Sequence, residues 1–305
     1  MRNLWTRVED PKGELPKPRL GHKVCSINNG KEILILNGAN RGKMGGINVF
    51  DTVKNCWSVP NVTGDIPKGI TFYDIVTKGN KIIMFGGMIE YCICTNEMYQ
   101  LNVTKWEWKK LEPGPTGNGE YPKPRYGHSF TLIGKAIYMF GGVAIPYPEK
   151  TGEEKLEYLN DLYSIKVPTL HGSKRNWTVP ETHQGTPPSP RDLHTAVSYQ
   201  PNYGSSKLHG GIHKNRPLRD VHVFEIDSST WSEPVVHGFP AFCRFMHTST
   251  LVDETLYVFG GSVPNSSQKT KCSDQLSILN VLTFNWQNVE FRTELFYLFS
   301  FRIFV

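Results

Sequence analysis

The sequence lacks long apolar runs. No stretch of the 305 residues reaches the roughly 18 consecutive apolar side chains that mark a membrane-spanning helix. Residues 1–10 contain no apolar core of the kind that a signal peptide requires. These absences predict a chain that neither crosses nor is anchored in a membrane, and the 38% apolar content provides for a large globular core.

A basic run is missing as well. The formal net charge is +6, and the lysines and arginines are spread along the whole chain. Nucleic-acid-binding proteins concentrate such residues on one face or in one stretch. The charge pattern therefore argues against direct binding to DNA or RNA.

Cysteines are few and scattered. Of the six, only Cys92 and Cys94 lie close together, and no second pair completes a zinc site. The pattern predicts reduced, structural thiols in an intracellular protein. No metal and no cofactor are predicted.

Glycine pairs, in contrast, recur after apolar runs and mark an internal repeat. The successive intervals between the pairs are 49, 55, 69 and 50 residues, which is the range of a repeat protein. The five pairs are Asn37-Gly38, Gly86-Gly87, Gly141-Gly142, Gly210-Gly211 and Gly260-Gly261.

Each glycine pair has the same surroundings. Upstream lies a Pro-Arg-x-x-His theme, complete at Arg19 and His22, at Arg125 and His128, and at Arg191 and His194, and present without proline at Arg244 and His247. The second copy is degenerate, with Lys68 interpreted as the equivalent of the arginine and Thr71 as that of the histidine. Downstream lie an acidic or amide turn, a strand-like run and a tryptophan, namely Trp57, Trp106 or Trp108, Trp177, Trp231 and Trp286.

Within a repeat, the pattern is that of short antiparallel strands. Ser129–Ile133 and Ala136–Phe140 flank the two-residue turn Gly134-Lys135, which predicts a hairpin. Asp161–Ile165 and the segment around Trp177 predict a second hairpin. Four short strands in each repeat, with almost no helical periodicity, predict an all-β fold, a β-propeller of four-stranded antiparallel blades.

The repeats are placed at about 18–60, 64–112, 121–180, 187–236 and 240–288, in one domain covering residues 1–288. An atypical apolar tail occupies 289–305. Only 19 residues follow Trp286, so the sixth blade is expected to be missing or incomplete, and an open blade edge beside the tail is expected to cause association.

The glycine pairs followed by a distant tryptophan resemble kelch repeats, and longer stretches resemble one kelch family, host cell factor. These stretches are GDIPKG at 64–69, FGGMIEY at 85–91, KWEWKKL at 105–111, YLNDLY at 158–163 and PRDLHTAV at 190–197. The similarity extends over roughly residues 4–288. It implies a nuclear transcriptional coregulator, associated with chromatin, that binds a short peptide (an acidic residue, His, any residue, Tyr) in transcription factors and components of histone-modifying complexes.

The residues themselves predict where such a peptide binds. The Pro-Arg theme precedes the first strand of each blade, which is the innermost strand of a propeller, so its basic residues are expected to ring the channel mouth and attract an acidic group. The predicted ring consists of Arg19, Lys68, Arg125, Arg191 and Arg244. The alternative is that each arginine is tied to carbonyl groups of its own or the next blade.

Two other interpretations were weighed. The four histidines of the theme favour hydrogen bonds between blades over a metal site, because each comes from a different blade. No spaced set of tyrosines, histidines and cysteine suggests a copper oxidase, so no catalytic residues and no enzyme activity are predicted. The alternative function is a cytoplasmic kelch adaptor for a ubiquitin ligase or the cytoskeleton.

Overall fold

A computed structural model describes residues 8–40, 42, 45–90, 93–145, 156–167, 175–199, 204–239, 241–264 and 270–289. All regular structure in these residues is β-strand, and no helix that could cross a membrane occurs among them. The predicted tail 289–305 lies outside this part, apart from Val289. The described residues fall into two compact units, one containing the residues up to Glu112 together with Pro124–Tyr126, the other Pro113–Lys123 and the residues from Gly127 onward.

The first unit contains two blades. The first blade is a four-stranded antiparallel sheet in sequence order, formed by β1 (Lys23–Ile27), β2 (Glu32–Leu36), β3 (Ile47–Asp51) and β4 (Cys56–Ser58). The second blade contains β5 (Thr63–Gly64), β6 (Asp74–Lys78), β7 (Lys81–Phe85), β10 (Met98–Asn102) and β11 (Glu107–Leu111), in the order β5-β11-β10-β7-β6. A small hairpin, β8 (Met88–Glu90) with β9 (Ile93–Cys94), extends from it.

The second unit contains three blades. The third blade of the chain consists of β12 (Ser129–Ile133), β13 (Ala136–Ala144) and β14 (Glu157–Lys166). The fourth consists of β15 (Thr195–Tyr199), β16 (Ser205–His209), β19 (Val221–Glu225) and β20 (Thr230–Ser232), with the hairpin β17 (Ile212–His213) and β18 (Arg216–Pro217). The fifth consists of β21 (His237–Gly238), β22 (Thr248–Val252), β23 (Thr255–Phe259), β26 (Leu276–Asn280) and β27 (Asn285–Val289), with the hairpin β24 (Ser262–Pro264) and β25 (Thr270–Cys272).

The predicted hairpin of the third blade is confirmed. Ser129 pairs with Phe140 and Ile133 with Ala136, around a turn in which Gly134 has a φ of +60°. The predicted fourth strand of this blade is reduced to a single bridge between Ser164 and Thr178. Trp177 beside it is nevertheless almost fully buried.

The second strand supplies core residues in most blades; in the fourth blade, Ser205–His209, only Leu208 is apolar. Leu34 and Leu36 of β2 and Ile82 and Met84 of β7 are fully buried together in the first unit, because strands covered on both faces must be apolar throughout. In the second unit, Val258 of β23 packs with β26 and Trp286. Within each unit the first strands of neighbouring blades contact each other: β1 meets β6, and β15 lies between β12 and β22.

A feature that the sequence did not predict leads into every blade. Residues upstream of the blade form a short parallel bridge to its outer edge. In every blade the bridge partner is the residue directly before the tryptophan. The bridges join Lys12 to Cys56, Thr63 to Glu107, Gly114 to Asn176, Gln184 to Thr230 and His237 to Asn285. We call the segments from the bridge to the arginine position the lead-in segments (12–19, 63–70, 114–125, 184–191 and 237–244, the last described without residue 240).

In four blades the residue after the bridge is a glycine, because a side chain there would overlap the outer strand. A Cβ atom on Gly185 would lie 1.8 Å from the carbonyl oxygen of Trp231, and the φ of Gly185 is +81°. The same overlap with the tryptophan carbonyl exists at Gly13, Gly64 and Gly238. Both the close approach and the left-handed backbone therefore require glycine at this position.

Candidate functional site

The lead-in segments end in a repeated backbone pattern at the start of each blade. The carbonyl group at the arginine position accepts a hydrogen bond from the second glycine of the preceding pair, at 2.8 Å for Gly142 with Arg191 and 2.9 Å for Gly211 with Arg244. Two residues after the arginine position the backbone is left-handed. The N–H of this residue donates to the carbonyl of the equivalent residue in the preceding blade, as Met246 does to Leu193 at 3.0 Å. A Cβ atom on Gly211 would lie 2.7 Å from the Asp192 carbonyl oxygen, which explains the glycine pairs as predicted.

This pattern corrects the predicted register of the second repeat. The carbonyl of Ile70, not that of Lys68, accepts from the second residue of the glycine pair, Gly38. The left-handed residue is Phe72, so Tyr73 takes the place of the histidine and donates from its hydroxyl to the Leu36 carbonyl at 2.6 Å. The reason is the spacing: Arg19, Arg191 and Arg244 each lie six positions after the glycine that follows the bridge (Gly13, Gly185 and Gly238), and six positions after Gly64 lies Ile70.

Three of the arginines, Arg125, Arg191 and Arg244, are fully buried. Arg191 is 0% exposed and donates to both carboxylate oxygens of Asp220 at 2.7 Å, with further bonds to the carbonyls of Gly210 and Ser189. Burial by itself would raise the pKa of Asp220, but hydrogen bonds from Arg191 and His222 lower it well below the usual range. A bidentate pair of this kind fixes the lead-in segment to the third strand of its own blade.

Arg244 and Arg19 donate to neutral partners at the equivalent place. Arg244 is 0% exposed and donates to the Gly260 carbonyl and the Gln275 side chain, and burial lowers its pKa to about 10. Arg19 is half-buried and donates to the Asn37 carbonyl and the Asn48 side chain. Arg125 is 0% exposed. For Arg19, Arg191 and Arg244, the acidic or amide residue that follows the glycine pair in the sequence is therefore the arginine's partner, namely Asn48, Asp220 and Gln275.

Lys68 lies elsewhere, at an exposed position two residues before the arginine position. This position is solvent-exposed in all five lead-in segments, where it holds Lys17, Lys68, Lys123, Ser189 and Phe242. Lys123 forms an ion pair with Glu157 at 2.6 Å. Of the predicted ring, therefore, Lys68 and Arg19 reach solvent, whereas Arg125, Arg191 and Arg244 do not.

Two of the histidines form the predicted hydrogen bonds between blades. The Nε2 atom of His194 lies 3.0 Å from Ser129 Oγ, and Nε2 of His247 lies 2.8 Å from Thr195 Oγ1. Burial, with smaller effects from His209 and Arg244, lowers the pKa of His247 well below its usual value. Burial also lowers the pKa of His209 to about 4, as it does that of His22. These rings are neutral parts of the core.

One group of possible metal ligands occurs in the described part of the chain. Ligand atoms of Asp220, His222 and Glu233 lie within 4.8 Å of one another. Both oxygens of Asp220 already accept hydrogen bonds from Arg191, and its Oδ2 also lies 2.9 Å from His222 Nε2. The nearby guanidinium charge opposes a cation, so we assign these residues to the ion-pair network.

Asp192 is in an unusual state that no sequence pattern indicates. This side chain is 3% exposed, and its Oδ1 atom has no hydrogen-bond partner among the residues that the structure describes. Burial raises the pKa of Asp192 to about 7. The residue directly follows buried Arg191, at a position held by Leu20, Thr71 and Phe245 in other blades.

The blades, their glycine pairs and their lead-in segments are those of a kelch β-propeller, which confirms the predicted fold class. The sequence profile of the kelch-repeats domain of host cell factor matches residues 2–295, and the chain belongs to this family.

Three relatives are similar over nearly the whole chain. Host cell factor of Drosophila melanogaster is 39% identical over 301 residues, covering 95% of this chain and 20% of the relative. Human host cell factor 1 and human host cell factor 2 are each 37% identical, over 93% and 92% of this chain, and the matched parts are 14% and 36% of their lengths. The chain therefore spans only a minor part of each of these relatives.

Proposed function

We propose that this chain is a non-enzymatic interaction domain that binds short peptides with an acidic residue, a histidine, any residue and a tyrosine. The partners are transcription factors and histone-modifying complexes in the nucleus, as expected of a host cell factor-like coregulator. Identities of 37–39% to host cell factors over more than nine tenths of the chain support this proposal.

The observation that carries the proposal is the repeated lead-in geometry. In all five segments the residue two positions before the arginine position is exposed, and three of these residues are lysines. Lys68 and half-buried Arg19 are proposed to meet the acidic residue of the peptide by charge-assisted hydrogen bonds. Buried Arg125, Arg191 and Arg244 are proposed to act indirectly, by holding the lead-in segments in place.

Charge reversal at an exposed position tests the peptide site. In fluorescence anisotropy with a labelled acidic-His-x-Tyr peptide, we expect Lys68→Glu to weaken binding by about tenfold, since like charges replace an attraction worth on the order of 1.4 kcal/mol. The effect should diminish at high salt. Lys78→Glu is the matched control, because Lys78 is equally exposed at the far end of β6.

A pulldown from nuclear extract tests the partners. Factors retained by the domain should be released by the free peptide and not by the same peptide with its acidic residue changed to lysine. Retention of cytoskeletal or ubiquitin-ligase components that the peptide does not displace would overturn the coregulator proposal in favour of a kelch adaptor.

A further inference from the structure

An open cleft of about 360 Å³ lies in the second blade, between its lead-in segment, strand β10 and the end of β11. Ligand sites begin at roughly 300 Å³, so the cleft has room for a side chain of a partner. We call it the second-blade cleft. Its lining residues are Asp65, Ile66, Tyr99, Lys110 and Glu112.

Hydrogen bonds join the residues of the second-blade cleft to one another. The backbone N–H of Lys110 donates to Asp65 Oδ2 at 2.9 Å, which ties the lead-in segment to β11. The Lys110 ammonium group pairs with Glu97, and the Tyr99 hydroxyl donates to the same carboxylate at 2.8 Å. Burial, the hydrogen bond to Glu97 and the nearby charges of Glu97 and Asp65 raise the pKa of Tyr99. Asp65 therefore lies near this hydroxyl group as well.

Lys68, the exposed lysine of the proposed peptide site, lies beside the same network. Burial by itself would raise the pKa of Glu97, but hydrogen bonds from Lys110 and Tyr99, together with the charges of Lys110 and Lys68, lower it. A ligand group that meets Lys68 is thus next to the second-blade cleft.

The place of Glu97 receives a guanidinium group in other blades. Glu97 directly precedes the third strand of its blade, as Asp220 and Gln275 do in the fourth and fifth blades. Arg191 donates to Asp220 and Arg244 to Gln275. This end of a blade is therefore built to accept hydrogen bonds from arginine.

The second blade has no arginine of its own at this end, because Ile70 occupies the arginine position. Lys110 neutralises Glu97, and the carboxylates of Asp65 and Glu112 are left over. Neither of these two forms an ion pair with any residue in the described part of the chain. The lining is negative, and it suits a guanidinium group, which donates paired hydrogen bonds to carboxylates.

The sequence makes the second blade distinct in the same respect. Among the four blades in which a glycine follows the bridge, it alone has an acidic residue both directly after this glycine and four positions after the tryptophan. The pairs at these positions are Glu14 and Asn61, Asp65 and Glu112, Thr186 and Val235, and Phe239 and Glu290.

We propose that the second-blade cleft binds an arginine side chain of the peptide, at the position between its histidine and its tyrosine. This inference rests on the proposed peptide-binding function and deepens it, because it makes this position one that the domain reads. In an extended peptide, this side chain points to the same side as the acidic residue two positions earlier. Lys68 meets the acidic residue, while Asp65 and Glu112 accept from the guanidinium group.

Two labelled peptides test the assignment in fluorescence anisotropy, one with arginine and one with alanine between the histidine and the tyrosine. The wild type should bind the arginine peptide about fivefold more tightly, as expected of partly exposed ion pairs. Asp65→Asn and Glu112→Gln should each reduce this preference and together abolish it, with the affinity for the alanine peptide unchanged. Asparagine at position 65 can still accept from Lys110 N–H, so the lead-in segment stays attached.

A change of sign at the same place gives a second test. Glu112→Lys should reverse the preference, in favour of a peptide with glutamate at this position. The matched control is Glu254→Gln, an exposed carboxylate in the turn between β22 and β23 of the fifth blade, which should keep the wild-type preference. Thermal unfolding checks that each variant is folded.

The outcomes separate this assignment from the proposed function. If the wild type binds both peptides equally well, or if the double variant weakens both equally, the cleft does not read this position and the assignment is wrong, while the proposed function stands. If the wild type binds neither peptide, the proposed function itself is overturned, and the assignment with it.

Discussion

At the scale of single residues, the basic theme has two roles that its sequence does not separate. An arginine suits a charged surface and a buried bidentate pair equally well, and composition gives no information on burial. The structure makes the distinction. Arg191 is buried in an ion pair with Asp220, whereas Lys68, which lies two residues before the arginine position of the second blade, is exposed. The residues of the theme that reach solvent therefore differ from those that are buried, and only the former are available to a ligand.

Asp192 gives a prediction at this scale. Burial raises the pKa of Asp192 to about 7, whereas an aspartate in an unfolded chain titrates near about 3.9. Between these pH values the folded protein keeps the Asp192 proton and the unfolded chain has lost it. The free energy of unfolding therefore decreases as pH rises from about 4 to about 7. Asp192→Asn carries no charge. We expect this variant to be more stable than the wild type at pH 8, by on the order of a few kcal/mol, with the difference decreasing to about 1–2 kcal/mol at pH 5 and vanishing near pH 4.

Urea unfolding at pH 5, 6, 7 and 8 measures this difference. The control is Asp253→Asn, an exposed turn residue with a φ of +51° that asparagine adopts readily. The control should follow the wild-type pH profile. Parallel profiles for Asp192→Asn and the wild type would show that the Asp192 carboxyl titrates normally.

At the scale of elements, the lead-in segment matters as much as the strands. A methyl group on Gly185 would overlap the Trp231 carbonyl oxygen, so Gly185→Ala should detach the parallel bridge and lower the free energy of unfolding by more than about 3 kcal/mol. Gly134→Ala should lower the free energy of unfolding by only about 1–2 kcal/mol, because Gly134 also has a positive φ but no atom lies near its added Cβ. Equal losses in denaturant unfolding would mean that backbone conformation alone explains the glycine.

The strands and their order were predictable because alternation, glycine pairs and turn residues are local signals. The hairpin at Ser129–Phe140 is an example. The parallel bridges were not predictable, since two-residue strands such as Thr63–Gly64 have no periodicity. The register of the second blade was misjudged for a related reason: Lys68 resembles arginine in charge, but Ile70 occupies the arginine's place in the hydrogen-bond pattern.

The candidate site was predictable in position and not in detail. Repetition located it at the start of each blade, because equivalent residues of a repeat occupy equivalent places. Which side chains reach solvent depends on partners distant in sequence, such as Asp220 for Arg191.

At the scale of the whole molecule, buried histidines make the protein sensitive to acid. The pKa values of His22 and His209 are lowered to about 4 by burial, and that of His247 lies well below its usual value, whereas unfolded histidine titrates near 6.5. The unfolded state therefore binds more protons between pH 6.5 and 4, and stability decreases as pH falls through this range. Asp192 acts in the opposite direction but is one group against three.

We expect the free energy of unfolding to be greatest near neutral pH and to fall by several kcal/mol by pH 4.5, a large part of the 5–15 kcal/mol typical of proteins. Tryptophan fluorescence during urea unfolding at pH 7, 5.5 and 4.5 measures it. Equal stability at pH 7 and 4.5 would contradict the neutral, buried state of these rings.

The parallel bridge ahead of each blade also bears on how such a chain evolves. Every blade is closed at its outer edge by residues immediately upstream of it, as Gln184 closes the blade that ends at Ser232. One continuous stretch of coding sequence thus contains a complete blade together with the segment that forms its parallel bridge. Duplication or deletion that begins just ahead of a bridge adds or removes an intact blade, whereas a break at the arginine separates a blade from its own edge.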